Sequence, residues 1–290
     1  MSAFDPRTTP ARGDLAAAHL KGKVKADRFV EGVIHHVIAA TAPLRHAPAP
    51  DAPLDTETLH GEEATIYEAD AEGWCWGQLK GDGYVGYLPA AALAPGATGA
   101  THRVIALRTF VFPAPDIKTP PIAALPFASR VKIVREEKSF GVADDGGFIP
   151  LCHLAPLATL APDFVATARR FIGAPYLWGG RSDWGLDCSG FVQAVHGARG
   201  VVLPRDSDQQ FGSGRAVPVT ADGAGYHSGD LLFFTEQGGG RVSHVAMWVG
   251  AGRIAHATLT RGGLVTEDLF ADVPRLRRMR DHLVGVRRVG

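Results

Sequence analysis

Asp187-Cys-Ser-Gly-Phe191 follows a turn rich in glycine and aromatics, Pro175-Tyr-Leu-Trp-Gly-Gly180, and opens an apolar run. Phe191, Val192 and Val195 give that run a helical stripe, so a helix is predicted to begin at Cys188 and end near Gly200. A thiol at a helix N-terminus sits among unpaired backbone N–H groups and the positive end of the dipole. That setting favours the thiolate, the nucleophilic form of cysteine. Gly190 permits close approach in the first turn, and the Cys188 N–H is free to donate into an oxyanion hole. Asp187 also reads as an N-cap.

Work outward toward the C-terminus and three strand-like segments appear: Leu231–Phe234, His244–Val249 and Arg253–Ala257. Gly238-Gly-Gly240 and Gly250-Ala-Gly252 supply the turns between them. They bring His244 and His256 onto neighbouring strands. His244 can accept the thiol proton, and His256 can bind its far ring nitrogen and fix its tautomer. A histidine in that third place orients without the full charge of a carboxylate. Cysteine, base and orienting group are the parts of a thiol acyl-transfer site. Upstream, Asp163–Ile172 reads as an amphipathic helix with Asp163 as N-cap and Gly173 as its stop. Helices followed by antiparallel strands make an α+β arrangement.

The N-terminal half has a different texture. Asp14–Leu20 suggests one or two helical turns within an arm, residues 1–32. Val33–Ile38, Glu63–Tyr67, Trp74–Leu79 and Tyr84–Leu88 are short and β-prone, with a loop expected from Ala42 to Pro53 because it holds four prolines. The order recurs in Val104–Leu107, Phe110–Phe112, a second proline-rich loop, Arg130–Val134, Phe140–Val142 and Gly147–Pro150. Gly86-Tyr-Leu-Pro and Gly147-Phe-Ile-Pro end the two halves alike, a duplication with a period of about 60 residues. Two small all-β barrels are therefore expected, over 33–97 and 98–158, ahead of an α+β domain over 159–290.

The bulk properties exclude several classes. Thirty Lys plus Arg balance thirty Asp plus Glu, so no global field points to nucleic acid or a membrane surface. The basic run Arg275–Arg280 reads as a solvated helix face or terminus. Three cysteines at odd spacing form neither a metal motif nor a disulfide framework, and Cys75 and Cys152 read as structural. The start Met-Ser-Ala-Phe-Asp-Pro-Arg shows no apolar leader and no run is long enough to span a bilayer, so a cytoplasmic location is expected. No metal or organic cofactor is expected.

Six blocks then point to one family: Tyr176-Leu-Trp-Gly-Gly, Asp187-Cys-Ser-Gly-Phe, Leu203-Pro-Arg-Asp-Ser207 with Gln209-Gln210, Gly229-Asp-Leu-Leu-Phe-Phe, Ser243-His-Val and Ile254-Ala-His-Ala. In this order, over roughly 160–270, they resemble the NlpC family of papain-like cysteine peptidases, and the preceding barrels resemble bacterial SH3-like domains. The resemblance implies a papain-like catalytic domain preceded by two SH3-like barrels, and catalysis by Cys188, His244 and His256. It also implies cleavage of cell-wall peptides between γ-D-glutamyl and a diamino acid, diaminopimelate or lysine. The architecture further resembles the γ-D-glutamyl-L-diamino acid endopeptidases, whose first barrel closes one end of the cleft and which need a free N-terminal L-alanine. On that resemblance Tyr176, Asp187, Ser189 and Ser207 would line the L-Ala-γ-D-Glu subsite. Glu62 and Tyr84 would meet the free amine, with Glu63 and Tyr87 as close alternatives. Asp187 and Glu62 would supply the carboxylates an ammonium needs, and Tyr176 a hydroxyl near the oxyanion or the substrate backbone. An acyltransferase or amidase on the same thiol, or a non-catalytic module that binds cell-wall peptide, are the rival readings.

Overall fold

The computed structural model describes residues 4–236 and 239–290, so the glycine turn expected at 238–240 lies partly outside the described residues, as do the first three residues of the chain. The chain divides into two compact units, Met1–Thr159 and Leu160–Gly290.

The first unit is built of strands. Its seven-stranded antiparallel sheet runs Leu54–Leu59, Thr41–Arg45, Val85–Pro89, Trp74–Leu79, Glu63–Ala69, Val33–Val37 and Leu93–Pro95. Alternation in period two turns Ala42, Leu44, Ala64, Ile66, Cys75, Leu79 and Leu88 inward to one core. Ala42-Pro43 belongs to a strand and not to the expected loop: proline at 43 donates nothing, and its strand is paired with Tyr87 on the Val85–Pro89 side only at Arg45. Leu15–Ala17, expected to be helical, is instead a buried strand parallel to Arg28–Val30, followed by one 3-10 turn at Ala18–Leu20. Asp14 caps nothing there, because its carboxylate is held by the Arg12 guanidinium.

Residues beyond 98 form three smaller sheets around Val104, Val111, Leu125, Val131, Ile149 and Leu154. The second proline-rich stretch closes with a strand, Ala123–Pro126, which pairs with Arg108–Val111.

In the second unit, helices α1 (Phe164–Arg169) and α2 (Cys188–Gly197) precede a short α3 (Ser207–Gln210), and α4 (Pro274–Asp281) follows the main strands. Asp163 caps α1 by accepting the Val165 N–H at 2.7 Å, but the helix stops at Arg169 and a turn leads to Gly173 at φ 90°. The six-stranded antiparallel sheet runs Arg215–Val217, Leu283–Arg288, Leu231–Thr235, Val242–Gly250, Arg253–Thr258 and Gly263–Asp268. The first, second and last of these went unread in the sequence. α2 packs on Val242–Gly250 and Arg253–Thr258. It buries Phe191, Val192 and Val195 completely, each side chain contributing about 1.5–3 kcal/mol. This packing is what sets the helix start against the histidine strands. Among the described residues no helix is long and apolar enough to cross a membrane.

Candidate active site

The site begins with the first turn of α2. Asp187 is its N-cap, accepting the Gly190 N–H at 2.7 Å on Oδ1, while Oδ2 accepts the Gly179 N–H at 2.8 Å. Position 190 must be glycine, because a Cβ there would lie 2.2 Å from the Gly180 carbonyl oxygen. The expected close approach is therefore between the helix and the Tyr176–Gly180 turn.

The Asp187 carboxylate is buried and ion-paired. It is 5% exposed, and Arg205, 1% exposed, holds both its oxygens, at 3.0 and 2.5 Å. The same guanidinium donates to Ser189 Oγ at 2.7 Å, and that hydroxyl in turn donates to Asp187. Asp187, expected to meet a substrate ammonium, is thus one half of a buried ion pair with Arg205. Ser189 belongs to the same buried cluster, and Ser207 is buried at the first position of α3. Arg205, inside the Leu203–Ser207 block, is a site residue that the local sequence alone does not reveal. Its signal was a charged residue among positions otherwise headed for the interior.

The cysteine departs from expectation in one respect. Cys188 is 7% exposed. Its sulfur receives backbone N–H groups from Ser189 and Val245, the residue that follows His244, and both pull the thiol pKa down. Burial outweighs them, and with the charge of Asp187 it pushes the thiol up to about 12. The helix start alone does not yield a standing thiolate. Burial likewise lowers His244 to about 3, helped by His256 and Arg275, so His244 rests as a neutral imidazole. The thiol and the imidazole are thus both neutral at rest, and a thiolate forms only when the thiol proton passes to a base.

Sheet register explains how the histidines meet. Met247 pairs with Ala255 and Trp248 with Ile254. Extending that ladder sets His256 diagonal to His244 on one face, a spacing aromatic side chains can bridge. Their rings stand 5.1 Å apart at 71°, and His244 Nε2 is 2.8 Å from His256 Nδ1. On the next strand His256 pairs with Val265 and Ile254 with Glu267, so Glu267 is again a diagonal neighbour. Its Oε2 lies 2.9 Å from His256 Nε2. Sequence reasoning passed over Glu267 because the strand Gly263–Asp268 went unread. Once that strand is paired, its position on the His256 face follows from period two.

Tyr176 is half-buried beside the helix start. Burial first, then Cys188 and Asp187, raise its hydroxyl to about 12, so it stays a hydrogen-bond donor at neutral pH. In the first unit, Glu62 Oε2 accepts the Leu59 N–H at 3.0 Å. Glu63 is bound by Lys80 at 2.7 Å and by the Thr98 N–H at 3.0 Å. Tyr84 packs in the barrel core, and the Tyr87 hydroxyl accepts from Arg12 at 3.0 Å. Among the described residues no three His, Cys, Asp or Glu side chains are grouped to hold a metal ion.

Comparisons with known proteins agree with this geometry. Residues 173–288 match the model of the NlpC/P60 family, and residues 44–93 that of the bacterial dipeptidyl-peptidase SH3 domain. A gamma-D-glutamyl-L-lysine dipeptidyl-peptidase of Bacillus cereus is 31% identical over 229 residues, 70% of this chain and 67% of that protein. The Bacillus subtilis protein of the same name is 43% identical over 101 residues, 34% of this chain and 33% of its own length. A crystal structure of an NlpC/P60 family protein from B. cereus shares the fold, with a TM-score of 0.74 at 23% identity, covering 88% of this chain and 99% of that one.

Proposed function

The chain belongs to the NlpC/P60 family of cysteine peptidases, and we propose that it hydrolyses the γ-D-glutamyl–diamino acid bond of cell-wall peptides that carry a free N-terminal L-alanine. The observation that carries this reading is the 2.8 Å link between His244 and His256, on strands packed against the helix that starts with Cys188.

In the proposed reaction His244 takes the Cys188 proton and the thiolate attacks the γ-glutamyl carbonyl. The Cys188 N–H and the Tyr176 hydroxyl stabilise the oxyanion. His244 then returns the proton to the leaving amine, and water hydrolyses the thioester. Water is the acceptor because the relatives are named as peptidases. Ser189 and Ser207 stay in the reading as walls of the L-Ala-γ-D-Glu subsite, and Asp187 shapes that wall through Arg205. The free-amine requirement rests on the resemblance, with Glu62 and Tyr84 its proposed determinants. We further read residues 98–158 as a second SH3-like barrel, supported by the repeated strand order and a separate core. Three unpaired cysteines suit a reducing setting such as the cytoplasm, where the enzyme would recycle imported peptides.

The test is hydrolysis of L-Ala-γ-D-Glu tripeptides ending in lysine or diaminopimelate, each with a free or an acetylated amine. The free-amine peptides should be cleaved at the γ-glutamyl bond, the acetylated ones should not, and Cys188→Ala should lose the activity by roughly 10⁴-fold or more. Cleavage undiminished in Cys188→Ala would refute the thiol mechanism, and equal cleavage of acetylated peptide would refute the amine requirement.

A further inference from the structure

We propose that Glu267 is a positioning residue for the base: through His256 it fixes which nitrogen of His244 receives the thiol proton and supplies the negative charge that a histidine in the third place lacks. The inference rests on the reading of Cys188 and His244 as nucleophile and base.

The argument follows the protons along one face of three strands. Glu267 Oε1 is bound by the Arg275 guanidinium from α4, with Arg261 Nε at 3.7 Å, while Oε2 faces His256. Its hydrogen bonds to His256 and Arg275 hold the carboxyl down at about 2, so at neutral pH it only accepts. At 2.9 Å the proton in that contact must therefore sit on His256 Nε2. A His256 with one proton then has its lone pair on Nδ1. That atom is 2.8 Å from His244 Nε2, so His244 must be the donor there. The lone pair of a neutral His244 is left on Nδ1, the nitrogen not engaged by His256. One carboxylate thus sets two tautomers in series. No tautomer choice follows from His256 alone, since either of its nitrogens could carry the proton.

The charge matters as well. His256 is 1% exposed, and along the His244–His256–Glu267 contacts the anion is the Glu267 carboxylate. Glu267 lies one ring away from His244 and stabilises the imidazolium formed when Cys188 gives up its proton. Arg275 and Arg261 oppose that effect from the far side of the carboxylate and keep it ionised. The charged groups set against these contacts are Arg275 from α4, Arg261 from the turn after the His256 strand, and Glu267 itself, with Cys188 on α2 the proton donor of the proposed reaction.

The test combines NMR and kinetics. Two-bond ¹H–¹⁵N spectra of ¹⁵N-histidine-labelled wild type should show both His256 and His244 protonated at Nε2. A His256 protonated at Nδ1 would overturn the assignment with no variant needed. Glu267→Gln keeps an acceptor but removes the charge. It should lower kcat about ten-fold or more, leave KM nearly unchanged, and move the acid limb of the kcat/KM profile to lower pH. The direction follows because loss of the anion makes His244 harder to protonate. Glu267→Asp should recover part of kcat. An unshifted acid limb and unchanged kcat in Glu267→Gln, with Cys188→Ala inactive, would overturn this role and leave the peptidase reading standing. Activity retained in Cys188→Ala would instead remove the reading on which it rests.

Discussion

At the start of α2, Asp187 and Arg205 form one buried charge cluster; on the sheet beneath, Glu267, His256 and His244 form another. Both contain a shielded carboxylate bound by arginine, and they do different work. Asp187 spends every contact on structure: two backbone N–H groups, one hydroxyl and a bidentate guanidinium. Glu267 spends one oxygen on arginine and turns the other to an imidazole. A charge matched by Arg205 has nothing left to respond with, because arginine does not titrate near neutral pH. A charge matched by histidine can follow a proton as it moves. On the proposed reading the first cluster holds the nucleophile in place, and the second sets the base.

That contrast breaks most readily at Arg205. Arg205→Met should strand the Asp187 carboxylate in the interior and cost about 3–5 kcal/mol of stability, read by urea unfolding. A loss below about 1 kcal/mol would mean that the helix start does not depend on the pair. The next largest effect is expected at Gly190. Gly190→Ala forces a methyl toward the Gly180 carbonyl and should cost about 1–3 kcal/mol by the same measurement. The smallest sharpens the other side of the contrast. Glu267 has a folded pKa near 2 against an ordinary 4.5. Its contribution to stability is complete above 4.5 and fades as pH falls toward 2. The stability gap between wild type and Glu267→Gln should therefore narrow across that window, and a gap independent of pH would show that the carboxylate's charge plays no part in it.

The two clusters also differ in how far they could be read from sequence. Asp187, Cys188 and Gly190 are local: one turn of helix dictates a cap and a close approach, and the structure has both, with Cys188 at the first helical position. His244 and His256 required only one hairpin. Glu267 required a further strand, Gly263–Asp268, whose mixed residues Leu-Val-Thr-Glu gave no clean alternation. Arg205 lay in plain view, but its partner is eighteen residues away and reached only through the fold. The protonation of the thiol follows the same division. The helix dipole is a local property that sequence reveals, whereas burial beneath a packed sheet is not, and burial is the larger effect. In the first unit the same division holds. Alternation revealed four strands of the seven-stranded sheet but not Thr41–Arg45, Leu54–Leu59 or Leu93–Pro95, and Pro43 entered a strand because its ladder has one lightly paired side.

The central claim is that Cys188 owes its reactivity to His244 and not to its helix alone. It is tested most directly by the rate of iodoacetamide alkylation at pH 7, measured by peptide mass spectrometry in wild type and His244→Ala, with exposed Cys152 as internal reference. The account predicts that Cys188 alkylation slows by about ten-fold or more in His244→Ala while Cys152 is unchanged. Equal Cys188 rates in the two proteins would contradict it.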